Sequence, residues 1–99
     1  MSRIAQIQQM LAEDPSDQFL QYALALEFKK EGKKHEAVEA LTKLSDEYLP
    51  KYYQLGKLLE EDEKIEQAIL VYKNGEALAR KTGDLKTANE LAEAIWMLD

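Results

Sequence analysis

The chain has no cysteine, one histidine, two prolines, four glycines and no long apolar run in its 99 residues. Each shortage excludes something. Without cysteine there is no disulfide framework, no thiol nucleophile and no sulfur metal site. Hydrophobic residues at 45% and charged residues at 32% supply ample core and surface, so the scarcity of Gly and Pro marks a globular, helix-rich chain and not a disordered one. The apolar stretches are short and interrupted by charge, so none is expected to span a membrane. Met1-Ser2-Arg3-Ile4 lacks the apolar run and small-residue cleavage site of a secretory signal, which makes a cytoplasmic location the default expectation. A basic excess is missing too. The net charge is −6, with six Lys and Arg against nine Asp and Glu in residues 1–49 and seven against ten in residues 50–99. An acidic chain without a basic stripe argues against nucleic acid and anionic membranes as partners. The length fits one domain over residues 1–99, near the lower limit for a self-sufficient core.

What is present is helical periodicity. Ile4, Ile7, Met10 and Leu11 recur at helical spacing and give a first helix within residues 1–13, which stops at "EDPSD". There Pro15 suits the start of a second helix, with Asp14 or Ser16 as its cap. That second helix is expected from about Ser16 to Lys30, with Leu20, Leu24 and Phe28 on one stripe and Phe19, Tyr22 and Leu26 beside it. After a turn at Gly32, a third helix over about Lys34 to Glu47 uses Ala37, Val38, Leu41 and Leu44. Pro50 opens a fourth, to about Glu61. A fifth runs from about Ile65 to Lys81 with Ala68, Ile69, Tyr72 and Leu78. Thr82-Gly83-Asp84 breaks it, and a sixth over 84–98 carries Ala88, Leu91, Ala92, Ile95 and Leu98. Nothing reads as a strand, so the expected fold is all-α with about six helices.

One residue does not suit its place. Gly56 lies inside the regular stretch "YYQLGKLLE", where glycine costs roughly 1 kcal/mol relative to alanine. The usual reason is another backbone approaching too closely for a side chain. Internal repetition supplies the context. The fourth and fifth helices read Tyr52-x2-Leu55-Gly56-x2-Leu59 and then Ala68-x3-Tyr72; the second and third read Leu24-Ala25-x2-Phe28, Gly32, and Ala37-x3-Leu41. This pattern resembles the tetratricopeptide repeat, a short α-solenoid of antiparallel helix pairs. The resemblance implies a degenerate half-repeat helix at 1–13, a first repeat at 16–48, a second at 50–82 and a capping helix at 84–98. It places Gly56 and Ala25 at the small position where the two helices of a repeat cross, with Ala37 and Ala68 at the other small position. Ala37 and Ala68 are 31 residues apart, against about 34 in the family, so about three residues are missing around "LSDEYLP".

No catalytic constellation stands out. His35, between Lys34 and Glu36, reads as a solvated surface histidine. "EEDEK" lacks the alternate spacing and Gly of a calcium loop, and no metal or cofactor is expected. The resemblance instead implies a non-enzymatic adaptor or scaffold, whose first helices line a concave groove holding a peptide or partner helix. The groove-facing positions it implies are Phe19, Tyr22, Leu26 and Lys29, then Tyr53, Lys57 and Glu60. Tyr22 and Leu26 stand where the family's chaperone-binding members carry the first Lys and Asn of a carboxylate clamp, so that clamp is absent. Lys29 and Lys57 on this face favour a partner with acidic residues beside apolar anchors. The alternative is a self-associating module, a homodimer through the final helix with its "IWMLD" end.

Overall fold

The computed structural model describes residues 2–99, and those residues form six α-helices and no strand: α1 (Arg3–Glu13), α2 (Gln18–Lys30), α3 (Lys34–Thr42), α4 (Pro50–Glu61), α5 (Ile65–Thr82) and α6 (Leu85–Leu98). The chain divides into two compact units, Met1–Tyr48 and Leu49–Asp99.

In the first unit, Ser2 caps α1 by accepting from the Ala5 N–H, and the stripe of Ile4 and Ile7 is buried against Leu24, Ala23 and Phe28 of α2. Burying such a side chain is worth about 1.5–3 kcal/mol, more than an 11-residue helix supplies by propensity. Two expected boundaries are corrected here. Pro15 and Ser16 lie in the turn before α2, and the cap is Asp17, whose carboxylate accepts from the Leu20 N–H at 3.0 Å. Neither Asp14 nor Ser16 caps that helix.

The second correction is larger. Helix α3 stops at Thr42, not near Glu47, although Leu44 and Tyr48 continue the apolar spacing of Leu41 beyond that end. The stop comes from two glutamines on α2. Gln21 donates through Nε2 to the Ala40 carbonyl at 3.1 Å, satisfying one of the carbonyls a helix end leaves open. Gln18 accepts from the Ser45 N–H at 2.8 Å, holding the chain in the turn that follows. Residues 43–49, the stretch in which the sequence expectation puts the shortage, form turns.

The two helix pairs share one kind of turn. Lys33 N–H donates to Phe28 O at 2.8 Å, and Lys64 N–H to Leu59 O at 2.9 Å, the same bond shifted by 31 residues. At the matching bend position Gly32 has φ 77° and Glu63 has φ 59°. Only the first of these is a residue for which a left-handed φ carries no penalty.

In the second unit, α5 packs on both α4 and α6. Its core joins Ala68 and Tyr72 of α5 to Leu91 and Ala94 of α6. Gly56 is buried, and the nearest atoms to a Cβ built on it are those of the Tyr72 ring, at 2.2 Å. What crowds Gly56 is thus an aromatic ring and not a backbone. The relationship is reciprocal: a Cβ on Gly75 would stand 2.5 Å from Tyr52 Cβ and 3.0 Å from a Leu91 methyl. Each helix of the pair leaves a gap for the other's tyrosine. Ala25, Ala37 and Ala68 are all fully or almost fully buried. At the end of α5, Gly83 takes φ 82° and Asp84 caps α6 by accepting from the Thr87 N–H.

Candidate functional site

The groove-facing residues expected from the sequence divide between the units. Phe19, Tyr22, Leu26 and Lys29 share a face of α2 by their spacing. Phe19 leaves most of its ring in solvent, whereas Tyr22 is half-buried with its ring centroid 5.6 Å from that of Tyr48. Burial, with Tyr22 and Asp17 nearby, raises the Tyr48 hydroxyl pKa above its ordinary value. Tyr48 is a member of this aromatic pair that the expected groove did not include.

In the second unit, Tyr53, Lys57 and Glu60 are brought together one turn apart on α4. Lys57 Nζ lies 5.2 Å from the Tyr53 ring centroid and 3.5 Å from a Glu60 carboxylate oxygen. Glu60 also accepts a hydrogen bond from the Tyr72 hydroxyl. Burial of the ring, reinforced by that carboxylate, pushes the Tyr72 pKa well above the usual phenol value. The Tyr53 and Tyr72 rings meet at 6.3 Å and 45°, within the range of favourable tilted aromatic pairs.

Beside this row runs a cleft of about 290 Å³. Tyr53 and Lys57 of α4 form one side; Glu90, Glu93, Ala94 and Met97 of α6 form the other. The volume is at the bottom of the range for small-molecule pockets, which suits one or two side chains better than a whole metabolite. Glu60 does not line it; its carboxylate holds Lys57 and the Tyr72 hydroxyl. His35 is elsewhere, exposed on α3, with Nε2 2.7 Å from Glu39.

Two solved structures of a tetratricopeptide repeat domain protein from Salinibacter ruber are similar to this chain. The solution NMR structure matches with a TM-score of 0.82 at 34% identity, covering 86% of this chain and 89% of the other. The crystal structure matches with a TM-score of 0.78 at 34% identity, covering 83% and 94%. The chain belongs to the tetratricopeptide repeat family. No protein-family model and no curated protein matches it.

As a tetratricopeptide repeat protein the chain is all-α, and no helix among its described residues is long and apolar enough to cross a membrane. Its sequence pointed to the α4 side of the cleft but not to the α6 side. Glu90, Glu93, Ala94 and Met97 repeat at i, i+3, i+4 and i+7, so they form one stripe, and that spacing was the available signal. It was not used as a groove because the exposed "IWMLD" end was expected to meet a second copy of the chain, and the neighbouring stripe, with Ala88 and Leu91 fully buried, is the more apolar one.

Proposed function

We propose that this chain is a protein-interaction module without catalytic machinery, and that the α4–α6 cleft receives a segment of a partner protein. The observation that carries the reading is Met97. It is a large apolar side chain left 74% exposed while lining a cleft together with Ala94 and Tyr53. Methionine adapts its shape to a partner, and tyrosine supplies flat area at little entropic cost. The family's use of concave helix faces for binding supports the same assignment. Phe19, Tyr22, Leu26 and Lys29 offer a second contact face on α2. A photo-crosslinking residue at position 97 should capture a partner that one at position 70, on exposed α5 surface, does not; equal capture at both positions contradicts the reading.

A second reading has its own observation. Leu85, Ala92 and Trp96 recur at helical spacing on another side of α6, with Leu85 60% and Trp96 78% exposed. Such a stripe suits a symmetric contact with a second copy of the chain. Sedimentation that gives the same mass at low and high micromolar concentration removes it.

A further inference from the structure

The cleft carries more negative than positive charge, and the imbalance selects its occupant. Lys57 is the one cation among the described lining residues, and its ammonium is already engaged by Glu60 at 3.5 Å and by the face of Tyr53. Across from it, Glu90 and Glu93 are exposed and have no ion-pair partner among the described residues. The sequence expectation of a partner with acidic residues is therefore reversed at this cleft. On the reading that the cleft takes a protein segment, we propose that the segment is basic, with an Arg or Lys between Glu90 and Glu93 and an apolar side chain on Ala94 and Met97.

The physical reason is desolvation. An occupant that covers Met97 also removes water from the two carboxylates beside it in the cleft lining, and an uncompensated carboxylate is costly to dehydrate. A cation repairs that loss, and a guanidinium does so with paired hydrogen bonds. An acidic segment would add repulsion to desolvation, so the same residues that admit one charge reject the other. Spacing narrows the pattern further. Glu93 and Met97 are separated by about 6 Å along a helix rising 1.5 Å per residue, a span an extended chain covers in about two residues. The basic and apolar side chains should therefore stand two apart, as in Arg-x-Leu.

The test uses three dye-labelled nine-residue probes, repeats of Arg-Gly-Leu, Gln-Gly-Leu and Glu-Gly-Leu, titrated against the full chain by fluorescence anisotropy. The Arg probe should bind about tenfold tighter than the other two, and Glu90→Lys with Glu93→Lys should invert the order in favour of the Glu probe. Because the chain is acidic throughout, Glu13→Lys with Asp14→Lys makes the same charge change in the other unit and should alter Arg-probe binding by less than about threefold. Circular dichroism checks that both variants keep their helicity. Equal binding of the Gln probe, equal losses in the two variants, or no binding of the Arg probe overturns the proposal. If the Gln probe binds equally and Tyr53→Ala abolishes it, the cleft still receives a segment and only its basic character is wrong. If none of the three probes responds to Tyr53→Ala, the cleft reading falls as well.

Discussion

The ring of Tyr72 occupies the space that a side chain on Gly56 would need, its Cε1 2.2 Å from where that Cβ would stand. Gly→Ala inside a helix ordinarily gains about 0.5–1 kcal/mol. Here it should lose roughly 1–3 kcal/mol, as overpacking of a closed core does. Thirty-one residues earlier the first unit has Ala25 and Leu41 at the corresponding positions, both buried. Combining Gly56→Ala with Tyr72→Leu recreates that pair and should destabilise less than the sum of the single changes, with a coupling of about 0.5–3 kcal/mol in denaturant unfolding. Additive effects would separate Gly56 from Tyr72.

A different gain is open at the α4–α5 turn. Glu63 holds φ at 59°, where the bend of the other helix pair has Gly32. Left-handed backbone costs a non-glycine residue about 1–2 kcal/mol. Glu63→Gly should raise the melting temperature by about 4 °C or more, and Gly32→Ala should lower it. A lower melting temperature for Glu63→Gly would mean that the turn's preference for glycine is outweighed by the added freedom of the unfolded chain.

The end of α3 depends on Gln18 and Gln21. Replacing both with Ala removes two side chain to backbone hydrogen bonds, each worth about 0.5–1.5 kcal/mol. Amide hydrogen exchange at Ser45 should quicken while exchange in α5 stays unchanged. Unaltered protection at Ser45 would show that something other than Gln18 holds that turn.

Two groups give opposite pH dependences. Asp84 has its pKa lowered, first by the Thr87 N–H and then by the Thr87 hydroxyl. Its capping contribution is present above the ordinary Asp value, near 3.9, and is lost as pH falls through the lower folded value. Tyr72 is raised, so the stability linked to its protonated form is complete below about pH 10 and declines as pH rises beyond it. Tyr72→Phe should lessen that alkaline decline, to which Tyr48 also contributes, whereas Asp84→Asn should lessen the acidic one. Parallel curves for Tyr72→Phe and the parent chain would contradict the assignment.

Helix number and most boundaries were legible because apolar residues at i, i+3 and i+4 face a core whatever that core contains. The end of α3 was not, since Leu44 and Tyr48 continue the same spacing while the stop is imposed by Gln18 and Gln21, more than 20 residues away for the Ser45 bond. Gly56 drew notice as a glycine in a good helix, but Gly75, which meets Tyr52, did not; a gap is visible in a sequence and its filler is not. At the candidate site the α4 residues Tyr53 and Lys57 followed from the resemblance. The α6 residues did not, because a terminal helix reads as a cap and its second, mixed stripe becomes meaningful only beside α4.

The functional claim stands or falls on where a bound segment sits. With methyl-labelled protein and the segment captured through position 97, NMR titration reads the Met97 and Ala94 methyls against that of Met10, which lies in the other unit and is also exposed. Saturable shifts are expected at Met97 and Ala94, with Met10 unmoved, and the shifts should be lost in Tyr53→Ala with helicity retained. Shifts at Met10 with Met97 and Ala94 unmoved would contradict it.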